Sequence, residues 1–248
     1  MPQPTLDSRL ALRKRPSQRG PVMYQKWRSL LFLHWEVDPA DIQRTLPPGL
    51  YVDTFAARAY LGLVPFFMRD IRPRFCPPVP GISNFLEVNV RTYVYDDDGV
   101  AGVWFYSLDA NQWLAVKTAR LFFKLPYFYA KMNAPEDATG LVDYHTWRRG
   151  RETSTASHFQ YRGIDPLREA EPGTLEFFLV ERYILFATPG PGRLARGQVV
   201  HPPYQIGATE VTHWDTNLLT LAGFAPLDHQ PDHCLYSPGV DVDVFGLK

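Results

Sequence analysis

The chain has 248 residues, of which 45% are hydrophobic and 14% aromatic, enough to build a sizeable core and to argue against global disorder. Basic and acidic residues balance at 26 each, but five of the basic residues and only one acidic residue lie within the first 20 positions. The rest of the chain is therefore slightly acidic, which argues against the basic face that nucleic-acid binding requires.

The first 23 residues are expected to form a flexible, basic N-terminal arm, because they combine prolines with the basic cluster. No stretch approaches the roughly 18 apolar residues of a membrane span, and no apolar signal-peptide core follows the first residues. We therefore expect no membrane partner and a cytoplasmic location. The two cysteines, Cys76 and Cys234, cannot form a disulfide framework and agree with a reducing compartment.

Residues 24–248 are expected to form a single domain in which many strands alternate with few helices. The predicted helices are Pro39–Leu46, Asn111–Phe123 with Asp109 as its N-cap, and Trp214–Gly223. A tail rich in Pro, Asp and His is expected to follow without regular structure. The predicted strands are Tyr24–Val37, Tyr51–Phe55, Arg58–Phe67, Ser83–Val94, Val100–Leu108, Tyr127–Met132, Tyr144–Arg149, Thr153–Tyr161, Thr174–Thr188, Gly197–Val200 and Pro202–Thr212.

These elements predict a mainly β fold of the α+β class, with one main helix and short accessory helices. The Asp98-Gly99 dipeptide indicates a hairpin between the two strands that flank it. So many strands with so few helices can bury their apolar faces only if the antiparallel sheet curves into a cone or barrel.

The strand Ser83–Val94 organises the functional hypothesis, because successive side chains of a strand point to opposite faces. One face is apolar except for a threonine. The other carries Glu87, Asn89 and Arg91 between aromatic residues, which is typical either of a polar pocket wall or of an exposed ladder. The hairpin and the helix that follow favour a cavity wall.

Two further charges, Glu181 and Arg182, lie within the apolar rows of the predicted strand Thr174–Thr188. A charge isolated in a core is costly unless it is paired. These two residues either pair with charged side chains from other elements or contribute to a polar site inside a β-lined cavity. His34, within another apolar run, is either a hydrogen-bonded core histidine or a ligand-binding residue.

Lys124 is the best candidate nucleophile, because a lysine becomes nucleophilic when it is desolvated or lies beside another cation such as Arg120. The alternative is a lysine whose charged end reaches solvent at a helix terminus. The usual hydrolase, phosphate-loop and zincin motifs are missing. Residues 228–234 contain metal-ligand residue types, but Pro231 interrupts them, so we expect no metal and no cofactor.

Six segments follow one another along the chain: FLHWEV, PPGL, SNFLEVNVRTYV, LDANQWLAVKTARLFFKLPYFYAKM, FLVERYILFA and VVHPPYQI. As an ordered set they resemble the YqjF-like family, domain of unknown function 2071 (DUF2071). The resemblance covers most of residues 24–215, and that family is similar to the acetoacetate decarboxylase superfamily. It implies a curved, cone-like antiparallel β structure with a helix beside an internal pocket.

The decarboxylases carry a glutamate near the start of a strand that precedes the helix, and Glu87 stands at the matching place. They also carry an adjacent lysine pair after that helix, one lysine forming a Schiff base. Here Leu125 and Pro126 occupy those positions, with Lys124 one residue earlier. The resemblance therefore implies the pocket, but this chain lacks the lysine pair of the usual reaction.

We therefore predict an internal polar pocket for a small carboxylate or carbonyl compound, in a protein that is either a lyase-type enzyme or a non-catalytic ligand-binding or structural protein. A homo-oligomer is compatible with either. In the enzyme, Arg91 or Arg120 would hold a carboxylate and Glu87 would be the acid/base group. The predicted catalytic residues are Glu87, Arg120 and Lys124, and the predicted ligand-binding residues are Asn89, Arg91, His34 and Glu181.

Overall fold

The computed structural model describes residues 2–190 and 192–248. Within them the chain forms a single twelve-stranded sheet with five short α-helices and one 3₁₀ turn at Thr153–Thr155. No helix in these residues combines the length and apolarity needed to cross a membrane. The elements are α1 (Leu6–Ala11), β1 (Met23–Val37), α2 (Pro39–Gln43), β2 (Leu50–Val52), β3 (Ala59–Pro73), β4 (Phe85–Asp96), β5 (Ala101–Ala110), α3 (Trp113–Phe122), β6 (Tyr127–Asn133), β7 (Val142–Arg148), β8 (Ser157–Glu169), α4 (Leu175–Val180), β9 (Ile184–Gly190), β10 (Arg193–Val200), β11 (Gln205–His213), α5 (Asn217–Leu221) and β12 (His233–Phe245).

The sheet closes on itself twice. The strands β12, β1, β3, β4 and β5 are consecutive neighbours, and β9 and β10 connect β5 back to β12 to complete a first ring. The strands β6, β7, β8 and β11 connect the same two strands by another route and complete a second ring. Pairing is antiparallel except between β5 and its neighbours β6 and β9. The predicted curved, mainly β fold is confirmed.

The shared strand β4 is buried on both faces because each face lines a different ring. In β4, Phe85 and Tyr93 pack in the hydrophobic core of the first ring. The alternating residues Leu86, Val88 and Val90 pack in the core of the second ring. Opposite faces of a strand carry alternate side chains, so the two-sided pattern predicted for this strand corresponds to two separate cores.

The predicted strand Thr174–Thr188 is wrong in its first half, which forms α4. The Thr174 hydroxyl caps this helix by accepting a hydrogen bond from the Phe177 backbone N–H at 3.3 Å. A short apolar run fits a buried helix as well as a strand, so periodicity could not distinguish them. Similarly, the side chain that caps α3 is Gln112, whereas Asp109 lies in β5 and pairs with Arg148.

The C-terminal tail was expected to be irregular but contains β12. This strand pairs with β1 over a long register, from Met23 opposite Val244 to His34 opposite His233. Its alternating apolar residues, including Val240 and Val242, are buried in the first core. Prolines and aspartates mask this alternation in the sequence, and the partner strand lies some 200 residues away.

The N-terminal segment differs from the expected flexible arm, because its arginines neutralise buried carboxylates. Arg9, on α1, makes two 2.7 Å hydrogen bonds to Asp53, and Arg13 bonds Glu181 at 3.1 Å. The side chains of Asp53 and Glu181 are only 4% and 0% exposed. A buried carboxylate requires such partners, so the basic residues that suggested a solvated tail serve as internal counter-ions.

Candidate functional site

A cavity with a volume of about 140 Å³ lies inside the first ring. Its walls come mainly from β1, β3, β4 and β5, and α3 covers one side with Ala115, Thr118 and Ala119. Most lining side chains are aliphatic or aromatic, so a few polar groups determine what can bind. The cavity is therefore mainly apolar, with polar side chains at a few positions.

The polar row on β4 faces this cavity. Glu87, Asn89 and Arg91 occupy alternate positions of the strand and all line the cavity. They are 3%, 6% and 9% exposed, which excludes the alternative of an exposed ladder. The curvature of the ring turns this face inward, and no ion pair joins Glu87 to Arg91 within the described residues.

Glu87 is a carboxyl group that remains protonated at neutral pH. Burial raises its pKa to about 8, and the nearby negative charge of Asp109 adds to the effect. The Tyr127 hydroxyl donates a hydrogen bond to Glu87 Oε2 at 2.9 Å, which partly opposes the rise in pKa. A neutral carboxyl group can donate a proton or a hydrogen bond to a ligand oxygen.

Asn89 and Arg91 bring unpaired polar atoms to the cavity. Arg91 Nη2 donates to the Tyr93 hydroxyl at 3.3 Å and to the Leu179 carbonyl at 3.2 Å. Arg91 Nε and Asn89 Oδ1 are buried and have no hydrogen-bond partner within the described residues. Buried polar atoms are normally satisfied, so two unpaired atoms on residues that line one cavity are unusual.

Arg182 also lines the cavity. Its charge within an apolar segment was noticed in the sequence, but Arg182 was not among the predicted site residues. Its Nη1 donates to Asp53 at 2.8 Å and its Nε to the Phe178 carbonyl at 2.7 Å, while Nη2 has no partner among the described residues. Burial lowers the pKa of Arg182 to about 10, with Asp53 opposing the shift. The guanidinium therefore stays charged at neutral pH. The feature of the sequence that could have identified Arg182 as a site residue is a charged residue within an apolar segment.

Tyr127 was also missed as a site residue. It begins β6, directly after the segment that follows α3, and it lines the cavity beside Glu87. Its hydroxyl has a pKa raised well above the usual value, mainly by burial and also by the neighbouring Glu87. Tyr127 therefore remains a hydrogen-bond donor. No local pattern in the sequence indicated Tyr127 as a site residue, because its position depends on the parallel pairing of β5 and β6.

His34 and Glu181 lie beside the first ring's core but do not line the cavity. His34 Nε2 is 2.7 Å from the Tyr93 hydroxyl, and burial lowers its pKa well below the usual value. Glu181 accepts hydrogen bonds from Arg13, from the Tyr204 backbone N–H and from the Tyr183 hydroxyl. Glu181 thus fits the structural alternative, with Arg13 as its charged partner from another element.

Arg120 and Lys124 lie outside the cavity, contrary to the expectation for catalytic residues. α3 turns its small residues inward, so Arg120 is exposed and donates to the Tyr127 carbonyl at 2.6 Å. Lys124 is exposed as well and borders a separate surface groove beside Trp104. No lysine is among the described residues that line the cavity.

The fold is similar to that of solved acetoacetate decarboxylase-like proteins. The enduracididine biosynthesis enzyme MppR complexed with pyruvate superposes with a TM-score of 0.61 at 15% identity, covering 95% of this chain and 92% of MppR. An acetoacetate decarboxylase-like enzyme from Sphingomonas wittichii RW1 gives a TM-score of 0.61 at 13% identity, covering 93% of each chain. At these identities the likeness concerns the fold alone.

The sequence itself has a curated relative, the uncharacterized protein YqjF of Bacillus subtilis (strain 168). The two are 36% identical over 213 residues, which cover 84% of this chain and 86% of YqjF. The family model DUF2071, described as "Uncharacterized conserved protein (COG2071)", matches residues 24–241. The matched region includes every strand of both rings, although the last strand extends a few residues beyond it. The chain therefore belongs to the DUF2071 family.

Proposed function

We propose that the cavity of the first ring binds a small carboxylate or carbonyl compound with a short apolar body. One observation carries the proposal: a buried cavity brings together a neutral carboxyl group at Glu87 and unpaired polar atoms of Asn89, Arg91 and Arg182. Structural charge pairs alone would saturate these groups. Instead, each of Asn89, Arg91 and Arg182 has a buried polar atom without a partner among the described residues, and all three residues line a space that a ligand can fill.

Each polar group has a distinct role in this proposal. Arg91 has no carboxylate partner within the described residues, so its charge is available to a ligand carboxylate. Glu87, as a neutral acid, donates a hydrogen bond to a carbonyl oxygen. Asn89 Oδ1 accepts from a ligand hydroxyl or from a bridging water. The apolar walls accommodate the remaining carbon atoms.

The ligand class is supported by the structural neighbour MppR, whose complex contains pyruvate, a small 2-oxo acid. A cavity of about 140 Å³ has room for a ligand of this size. Any chemistry in this cavity would rely on Glu87, which could protonate a carbonyl oxygen or an adjacent carbon. Imine formation is not part of the proposal, because Lys124 lies outside the cavity.

Thermal unfolding of the full chain with pyruvate and with acetoacetate tests the proposal. A ligand at 100 times its Kd stabilises the native state by about 2.7 kcal/mol, which raises Tm by roughly 5–10 °C for a chain of this size. We expect Arg91→Met to abolish this shift. Arg120→Met makes the same change at an exposed arginine outside the cavity and should retain it.

An equal Tm shift in both arginine variants would contradict binding in the cavity, as would the lack of any shift across a panel of small 2-oxo and 3-oxo acids. The chemistry is tested by adding borohydride in the presence of pyruvate and measuring the intact mass. Since no lysine borders the cavity within the described residues, we expect no added mass. A trapped adduct lost in Lys124→Ala would overturn this view of the site.

A further inference from the structure

A second group of ligating side chains lies on the second ring, away from the cavity. Asp143 and His145 are two residues apart on β7 and therefore share one face of the strand. His158, on β8, lies directly opposite His145 in the antiparallel register. The β7 and β8 strands belong only to the second ring, so this group is separate from the proposed ligand site.

The three side chains already converge on one point. Asp143 Oδ1 is 2.6 Å from His158 Nε2, and Asp143 Oδ2 is 3.2 Å from His145 Nε2. The two imidazole rings stack with centroids 4.1 Å apart and planes 9° apart. One nitrogen from each ring and one carboxylate oxygen lie within 4.8 Å of one another.

We propose that Asp143, His145 and His158 form a binding site for a divalent transition-metal ion of the Zn²⁺ type. Two imidazole nitrogens and one carboxylate oxygen are donors that Zn²⁺, Ni²⁺ and Cu²⁺ prefer, whereas Mg²⁺ and Ca²⁺ prefer oxygen donors alone. Ligand bonds of about 2.0–2.2 Å require these donors to lie a little over 3 Å apart.

The side chains of Asp143, His145 and His158 are 37%, 50% and 31% exposed, so they have room to rotate from the stacked arrangement towards that spacing. The exposed side of the group faces solvent, so water can complete the coordination of the metal ion. The site thus needs no further protein ligand and no rearrangement of the sheet.

Neighbouring residues pack against the His158 ring and bind its backbone, and they lie outside the proposed ligand set. His213, on β11, stacks on His158 with ring centroids 4.2 Å apart. Asp215 accepts hydrogen bonds from the backbone N–H groups of His158 at 2.6 Å and of Asn217 at 2.9 Å. Its two oxygens are therefore engaged, and the proposal leaves Asp215 out of the ligand set.

Calorimetric titration of the untagged full chain with Zn²⁺ tests the site. We expect one bound ion per chain and at least a tenfold loss of affinity in His145→Ala and in His158→Ala. The His145 side chain is half exposed, so its removal should leave the fold intact, which circular dichroism checks. His229→Ala removes an exposed histidine in the segment before β12 and should bind Zn²⁺ as the wild type does.

A wild-type chain that binds no Zn²⁺, or a folded His145→Ala variant with undiminished affinity, would overturn the proposal. Equal losses in His145→Ala and His229→Ala would also overturn it, since they would indicate dispersed binding. Visible absorption bands of bound Co²⁺ provide a second readout. We expect Asp143→Asn to change these bands, and an unchanged spectrum would remove the carboxylate from the site.

Discussion

Glu87 illustrates how burial defines the chemistry of this protein at the scale of a single residue. Its nearest polar partner is a tyrosine hydroxyl, and no cation compensates a negative charge at this position within the described residues. The protonated, neutral acid is therefore the form of this buried group with the lower free energy. A protonated carboxyl in an apolar cavity differs from the salt-bridged carboxylate that a charged strand residue usually indicates.

Glu87 should make the protein less stable as the pH rises. Its pKa is about 8 in the folded state and about 4.5 in the unfolded chain, so the folded state retains a proton that the unfolded state releases. Its contribution to stability is present below about pH 4.5 and is lost as the pH rises towards 8, at about 1.4 kcal/mol per pH unit. Urea unfolding at pH 5 and pH 8 measures this loss.

The Glu87→Gln variant has nearly the same side-chain shape as the neutral acid, but it cannot ionise. The free energy of unfolding of Glu87→Gln minus that of the wild type should increase by about 3–4 kcal/mol between pH 5 and pH 8. Glu210→Gln, at a side chain that is 42% exposed, is the matched control and should follow the wild type. Parallel pH profiles for the wild type and Glu87→Gln would show that the native carboxyl is not held neutral.

The residues of β4 were predictable because strand alternation specifies which side chains share a face. Glu87, Asn89 and Arg91 were assigned to one surface from the sequence, and they line one cavity. Arg120 and Lys124 were grouped with them from helical spacing and neighbouring charge. Their placement depends on which face of α3 packs against the sheet, and the apolar residues at both faces of this helix left that choice open.

At the scale of the element, β12 depends on close backbone contact with β1. Gly239 has φ of +126°, and a Cβ atom there would lie 1.9 Å from the Trp27 carbonyl oxygen. Only glycine combines this conformation with such an approach. The position also lies within the register that joins the two strands, opposite Arg28.

Gly239→Ala should destabilise the protein by about 3 kcal/mol or more, because backbone strain and overlap with β1 act together. Gly223→Ala is the matched control: φ there is +98°, and no atom lies within 4 Å of the added Cβ. It should cost only the strain, about 1–2 kcal/mol. Denaturant titrations measure the unfolding free energies of both variants. Equal losses in Gly239→Ala and Gly223→Ala would mean that β1 moves to make room for the added methyl group.

The elements that the sequence predicted well are those with local signals. The hairpin between β4 and β5 has its Asp-Gly turn, and α2 has its Asp38 cap and Pro39 at the first helical position. The missed or misassigned elements, β12 and α4, derive their conformation from distant partners. Burial of α4 in the first core and pairing of β12 with β1 are tertiary effects that override local pattern.

At the scale of the whole molecule, the two closed rings share the five strands β12, β1, β3, β4 and β5. Neither ring can close unless these shared strands are in place. The sequence predicted one curved sheet, since the number of strands and their apolar faces required curvature. It could not predict the double closure, because this depends on pairings such as β10 with β12 and β5 with β9. These pairings join segments far apart in the chain.

The position of β12 also has a consequence for biosynthesis. Both rings include this strand, and it follows all the other described strands in the chain, so the N-terminal strands are synthesised before their closing partner. Long-range pairing of this kind is slow and leaves strand edges exposed in the meantime. We expect ribosome-bound chains that end before residue 233 to be digested rapidly by protease. Chains released with β12 in place should become resistant, and early resistance of the shorter chains would show that the rings close without it.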